Sequence, residues 1–364
     1  MKITSIQTSR WMNIRKLNLL FATIIMLSSA FAWADTERGR QYNDQGKYDL
    51  AFKEFYESAV MNDAVAQHLL GDMYRNGRGV AQDDLQAVVW YRKAADQGNA
   101  DGQNDLGYMY AFGRGVTQDD LQAVVWYRKA ADQSNADGQN NLGYMYRNGK
   151  GVAQDDVQAV GWYRKAADQG NATGQDNLGY MYRSGKGVAR DDLQAVVWFR
   201  KAADQGNADG QNNLGGMYAS GKGVAQDDVQ AVGWFRKAAD QGNADGQNNL
   251  GYMYELGKGV VQDDLQAVVW FRRAADQENA NGQNSLGYMY ESGKGVAQDD
   301  VQAVVWYRKA ADQGDAYGQN HLGGMYEYGK GVVKNLDEAK KWYRKAADQG
   351  IQPAVDALKR LELH

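Results

Sequence analysis

The sequence predicts an all-α fold, a right-handed superhelical α/α solenoid of antiparallel helix pairs, and three observations lead there. Tryptophan recurs at Trp90, Trp126, Trp162, Trp198, Trp234, Trp270, Trp306 and Trp342, always 36 residues apart. A period of that size marks supersecondary units that each bury a face against their neighbours. Within each period, two stretches of helical periodicity flank a glycine-marked loop. The third observation is composition: 43% hydrophobic residues, a formal net charge of −4 and no cysteine in 364 residues. Such a chain suits a folded soluble body and carries no polyanion or membrane-surface signal, so nucleic acid is not an expected partner. The lack of cysteine removes disulfides, thiolate metal sites, a cysteine nucleophile and a lipid-modified cysteine.

Before the repeats, Arg15 and Lys16 precede the apolar run Leu17 to Leu27, followed by Ala32-Trp33-Ala34. This order predicts an export signal over residues 1–34, cut after Ala34. Counting from Met12 gives the more ordinary leader length, which makes Met12 a second candidate initiator. A transmembrane anchor is the other reading, but the run is short for a bilayer. The expectation is a periplasmic or secreted chain, monomeric and without membrane insertion after signal cleavage.

The segment Ala100 to Asn135 serves as the reference unit. Its first helix is predicted from Ala100 to Phe112, stopped by Gly113, the residue type that accepts a left-handed conformation after a helix. Gly115 allows a second tight turn and Val116 is the apolar plug of the loop. Asp119 and Asp120 open the second helix, where a carboxylate can cap free N–H groups. That helix, about Asp120 to Asp132, sets Ala123, Tyr127 and Ala130 on one stripe. Trp126 beside them reads as inter-repeat packing, with stacking on a base or sugar as the alternative.

The pattern Ala-x-Gly-Gln-x-x-Leu-Gly-x-Met-Tyr, then Gly-x-Gly-Val, then Ala-x-x-Trp-aromatic-Arg-Lys-Ala-Ala-x-Gln-Gly resembles the Sel-one-like repeat family, a relative of the tetratricopeptide repeats. The match runs over residues 64–351, eight units in register. The resemblance implies stacked helix pairs, no cofactor, and a scaffold or adaptor role in protein complexes. For similar exported bacterial proteins it implies envelope complexes or host contact. Cysteine-rich relatives act on β-lactams; their cysteines are missing here, no nucleophile stands out, and no catalytic residue is assigned. Residues 35–63 resemble a plain tetratricopeptide cap, with Glu54 where Trp90 stands one period later. Residues 352–364, with Pro353 near the start, read as a C-terminal capping helix.

Positions that vary between units are where specificity is sought. Numbering from the leading alanine, positions two, five, six, nine, twelve and thirteen of the first helix vary, and at about 100° per residue they fall within one arc of roughly 120°. In related superhelices the first helix lines the concave side, so this stripe predicts a partner-binding groove. Position nine supplies Tyr108, Tyr144, Tyr180, Tyr252 and Tyr288; position thirteen adds Phe112, Leu256 and Tyr328. Position twelve passes from Arg75, Arg147 and Arg183 to Glu255, Glu291 and Glu327, a basic-to-acidic gradient that would orient a partner segment. Exchanging those glutamates for arginines is expected to leave the array folded. Neutral drift of a solvent-facing stripe is the competing account, and glycan stacking on the tyrosines is another use of the same surface.

Other chemistry is mostly excluded. The recurrent pairs such as Asp83-Asp84 and Asp119-Asp120 read as caps, since seven identical catalytic pairs would be strange. His68 and His321 lie far apart in sequence, which speaks against a histidine metal site or triad. Segments such as Gly149-Lys150-Gly151 lack the spacing of a phosphate loop and read as turns. Gln103 and its equivalents fall on the packed arc and are expected to satisfy backbone groups.

Overall fold

The computed structural model describes residues 35–362; the expected export signal at 1–34 lies outside the described residues. Two compact units divide between Gly174 and Gln175. The first contains α1 (residues 35–44), α2 (Tyr48–Val60), α3 (Ala64–Asn76), α4 (Asp84–Asp96), α5 (Ala100–Phe112), α6 (Asp120–Asp132), α7 (Ala136–Asn148) and α8 (Asp156–Asp168). The division falls inside α9 (Ala172–Ser184). The second unit continues with α10 (Asp192–Asp204), α11 (Ala208–Ser220), α12 (Asp228–Asp240), α13 (Ala244–Leu256), α14 (Asp264–Asp276), α15 (Ala280–Ser292), α16 (Asp300–Asp312), α17 (Ala316–Tyr328), α18 (Leu336–Asp348) and α19 (Gln352–Glu362). Among the described residues there is no strand, and no helix is long and apolar enough to cross a membrane. The architecture is an α/α solenoid of helix pairs.

Local chemistry sets the ends of these helices. Asn99 caps α5 by accepting from the Gly102 N–H at 2.7 Å, and Asp119 caps α6 by accepting from Gln122 at 3.0 Å. Gly113 closes α5 in the left-handed conformation, φ 64°, its N–H returning to the Met109 carbonyl. The first aspartate of each such pair is therefore the cap, and the second, such as Asp120, opens the first turn at the positive end of the helix dipole.

Packing joins one repeat to the next. Ala123, Val124, Tyr127 and Ala131 of α6, Leu142 and Met145 of α7, and Trp162 of α8 form one core. In the second unit, Ala303, Val304, Tyr307 and Ala311 of α16, Leu322 and Met325 of α17, and Trp342 of α18 form its equivalent. In both cores the tryptophan closes a cluster begun by the preceding second helix, as the inter-repeat reading expects. Truncating such a side chain to alanine costs about 3–5 kcal/mol. At the ends, Ala51, Phe55 and Ala59 of α2 pack on α3, and Ala354 and Ala357 of α19 cover Ala339, Tyr343 and Ala346 of α18.

Two polar ladders run through these contacts. The Gln139 amide donates to the Ala131 carbonyl at 3.2 Å, the backbone role expected of the repeated glutamines. Its oxygen also accepts from Gln169 at 2.7 Å, and the same pairing links Gln241 to Gln211 in the second unit. The second ladder uses positions five and six of the first helices. Asn141 donates to Asn104, Asn249 to Asn212, Ser285 to Asn248, and His321 meets Asn284. In the first repeats His68 meets Asp105 at 2.7 Å instead. Two of the positions assigned to an open groove are thus contacts between successive first helices.

The two histidines titrate in opposite directions. Burial works against a charged His68, but the hydrogen bond to Asp105 and the charges of Asp72, Asp105 and Asp101 outweigh it, so its pKa lies above the ordinary value. Burial dominates at His321, whose pKa is lowered despite Glu291 and Asp315. His68 therefore contributes stability below its unfolded pKa of about 6.5 and loses it as pH rises through the higher folded value. His321 has the reverse sign: its neutral form is favoured in the folded chain, and stability is lost as pH falls below about 6.5. In denaturant titrations, the loss caused by His68→Gln should be larger at pH 5 than at pH 8. The loss caused by His321→Gln should be smaller at pH 5 than at pH 8.

Glycine supplies a further test of this packing. A Cβ added at Gly143 would lie 2.8 Å from the Tyr163 ring, whereas one added at Gly161, on the exposed side of α8, would meet nothing within 4 Å. Gly143→Ala should lower stability by about 1–3 kcal/mol through overpacking. Gly161→Ala should raise it by about 0.5–1 kcal/mol through helix propensity. Chemical-denaturation midpoints of the two variants should move in opposite directions.

Candidate functional site

Several of the first helices carry the aromatic residues singled out in the sequence, whereas α3 and α11 have none of them. In the first unit Phe112 and Tyr144 are exposed and Tyr108 is half-buried. In the second, Tyr252, Leu256, Tyr288 and Tyr328 are exposed and Tyr180 is half-buried. Tyr317, which the sequence reading did not single out, joins them at 59% exposure. Large apolar side chains held open on regular helices give broad contact area at small entropic cost. Elsewhere position thirteen has a local role: the Ser184 and Ser292 hydroxyls donate to the Tyr180 and Tyr288 carbonyls, finishing the ends of α9 and α15.

Arginines at position twelve lie against the rings. Arg75 sits 5.8 Å from the Tyr108 centroid and 3.5 Å from Asp105, so part of its charge is already answered. Arg147 stands beside Tyr163, whose hydroxyl is pushed up to about 12 by burial, with Arg147 pulling the other way. Arg183 lies 5.4 Å from both the Tyr180 and Phe199 rings and donates to Asn213 at 3.0 Å. Planar guanidinium between rings is the arrangement in which an arginine keeps its geometry and its charge.

The glutamates correct the expected charge gradient. Glu255 is 9% and Glu327 5% exposed, so neither is a surface charge. Lys294 donates to Glu255 at 3.2 Å; Glu291 accepts from Tyr307 at 2.9 Å and Lys330 at 3.1 Å. Glu327 accepts from Tyr343 at 2.8 Å and from Arg360 at 2.6 Å. The stripe therefore runs from cationic to neutral, and the acidic end is neutralised from within. Replacing these glutamates by arginine would confront a buried cation with Lys294, Lys330 or Arg360, so the expectation of an undisturbed array is also corrected.

The residues missed in the sequence are the lysines of the Gly-Lys-Gly turns. Read only as turns, they include Lys294 and Lys330, which return a cation to position twelve of the repeat before. In the second unit this gives Lys222 toward Arg183, Lys258 toward Ala219, Lys294 toward Glu255 and Lys330 toward Glu291 by register. The signal was present in the fixed charge at that turn. In the first unit, Arg114 meets Asp84 through two hydrogen bonds of 2.9 and 2.8 Å, and Lys150 lies 5.5 Å from the Tyr144 ring.

One cluster has the composition of a cation site. His68, Asp72 and Asp105 place one ligand atom each within 4.8 Å of one another. Arg75 is 3.9 Å from Asp72 and 3.5 Å from Asp105, and Tyr91 donates to Asp72 at 2.7 Å. Part of the positive charge a metal would supply is supplied there by the guanidinium, and the imidazole adds to it when protonated. Sequence distance concealed this cluster, because its members come together only through the stacking of α3 on α5.

Comparison with known proteins agrees with the geometry. The Sel1 repeat matches residues 64–99, 100–135, 136–171, 172–207, 208–243, 244–279, 280–315 and 316–351. No curated protein matches the chain. Among solved structures, the chain is similar to c5321, a protective antigen present in uropathogenic Escherichia coli strains displaying an SLR fold. Identity there is 42%, over 86% of this chain and 67% of that one, with a TM-score of 0.64. A Sel1 repeat protein from Oxalobacter formigenes is 36% identical over 85% of this chain and 89% of its own, with a TM-score of 0.57. With eight consecutive repeats matched in the register set by its tryptophans, the chain belongs to the Sel1-repeat family.

Proposed function

We propose that the chain is an exported scaffold that holds a segment of a partner protein on its first-helix faces. The observation that carries this is the exposure of Phe112 and Tyr144 in one unit and of Tyr252, Leu256, Tyr288 and Tyr328 in the other, on helices whose remaining apolar residues are spent on packing. Sel1-repeat proteins generally mediate protein–protein interactions and are typically non-enzymatic. The basic and apolar order of Arg15 to Leu27 ahead of Ala32-Trp33-Ala34 supports export to the periplasm or beyond, with the envelope or a host surface as the place of action.

The test is crosslinking capture from envelope extract, made with and without prior cell-wall digestion, using the chain and its Leu256→Ser, Tyr288→Ser and Tyr328→Ser triple variant. Capture of a protein that survives digestion and falls at least tenfold in the variant is the expected outcome. Retention by the variant would remove the surface from consideration, and loss on digestion alone would point to a glycan. Fractionation of a chain lacking residues 2–34 should find it in the cytoplasm; normal export of that chain would refute the signal.

A further inference from the structure

The second unit contains one repeat whose first helix has been stripped of large side chains, and it lies where the turn cations lack a counter-charge. On α11, position nine is Gly216 and position twelve is Ala219, where the neighbouring first helices carry Tyr180 and Arg183 on one side and Tyr252 and Glu255 on the other. A Cβ added at Gly216 would meet nothing within 4 Å, so no neighbouring atom closes over the backbone there. The loss is local, since Gly215 next to it is packed against Phe235 like its equivalents.

The charge around this notch is unbalanced. Lys294, Lys330 and Arg360 each meet a glutamate of the preceding repeat. Lys222 and Lys258 occupy the same turn position as those lysines but have Arg183 and Ala219 in the place of the glutamate. Both are exposed and make no ion pair among the described residues. The nearby Asp192 feels Lys222, but its carboxylate is taken by Arg190 at 2.9 Å. Arg183 is fixed by two rings and by Asn213, and that single hydrogen bond leaves most of its five N–H donors unused.

We propose that this notch receives an acidic peptide segment, whose carboxylates meet Arg183, Lys222 and Lys258 while its apolar side chains lie against Tyr180, Tyr252 and Leu256. This rests on the first-helix face being the partner-binding surface and names the chemistry of what binds there. Three features favour a carboxylate-bearing peptide. The cations are spread along successive repeats, as an extended chain requires, rather than gathered at one point. The fork of Arg183 matches a carboxylate in two-point geometry. The open backbone at Gly216 lets a main chain approach between the flanking tyrosines. Beyond the notch, Glu255, Glu291 and Glu327 are already paired, so the demand for negative charge ends where the glutamates begin.

The test uses the full chain and two fluorescein-labelled decapeptides, one alternating glutamate with tyrosine and one alternating lysine with tyrosine. Fluorescence anisotropy should show the glutamate peptide binding at least tenfold more tightly, with affinity falling as salt rises. Lys222→Gln with Lys258→Gln, both exposed, should weaken it about tenfold, and Gly216→Tyr should weaken it similarly by filling the space. Lys330→Gln should leave it within twofold. Thermal unfolding midpoints of each variant establish that loss of binding is not loss of fold. Equal affinity for the two peptides, no binding of either, or indifference to Gly216→Tyr and to the lysine pair would each overturn the notch. Capture of an envelope protein that depends on Tyr288 and Tyr328 but survives Gly216→Tyr would overturn the notch and leave the surface standing.

Discussion

The contact on which everything else depends is the seating of a second-helix ring on a first-helix glycine. Tyr163 rests on Gly143, Phe199 on Gly179 and Tyr307 on Gly287, so closely that the smallest side chain would intrude. The ring is buried, the helices of a pair are held at one distance, and the tryptophan one residue before the ring is aimed at the core of the previous repeat, as Trp162 and Trp342 are. Interiors packed to crystal-like density tolerate little change at such points. Repeated through the array, this requirement fixes the glycine, the ring, the alanines and the tryptophan together and leaves a small set of positions able to differ.

Those positions are less independent than their variability suggests. A buried glutamate at position twelve needs a cation, which arrives from the turn of the following repeat at Glu255 and from α19 at Glu327. An aspartate at position six, as at Asp105, is matched by His68 of the preceding one. Substitution in one repeat therefore restricts its neighbour, because a buried polar group without a partner costs about 1–3 kcal/mol, more if charged. Neither free drift nor partner selection accounts for such positions. They are compensated pairs, and only the residues outside a pair remain available for recognition.

This is also why the sequence disclosed the fold more fully than the surface. The bounds Ala100–Phe112 and Asp120–Asp132 were legible because aspartate and glycine mark helix ends by local hydrogen bonding, which needs no knowledge of the neighbours. A helical wheel has the opposite limitation. It places positions five, six and twelve on one arc with nine and thirteen, yet it cannot show that the next first helix covers five and six. Nor can it show that a lysine 39 residues downstream reaches back to Glu255 or Glu291. The exposed aromatics were found because they lie beyond that coverage, and the turn lysines were missed because their partners are in another repeat.

Recognition in such an array is therefore written as departures from the repeat. Kinship at 42% identity over 86% of the chain secures the shared scaffold, since the glycines, rings and tryptophans are what the stack demands. It does not transfer a partner, because binding depends on which side chains remain after packing and pairing have taken theirs. In this chain the side chains left exposed on the first helices include Phe112, Tyr144, Leu256 and Tyr328, and the exposed turn lysines include Lys222 and Lys258. Where position twelve is Glu255 or Glu291, the turn lysine of the next repeat is consumed internally; where it is not a glutamate, the turn cation finds another neighbour, as Arg114 finds Asp84, or stays exposed, as Lys222 and Lys258 do. The identity of position twelve thus bears on the electrostatic character of the following repeat, at a cost in stability wherever the residue replaced is a buried, paired glutamate.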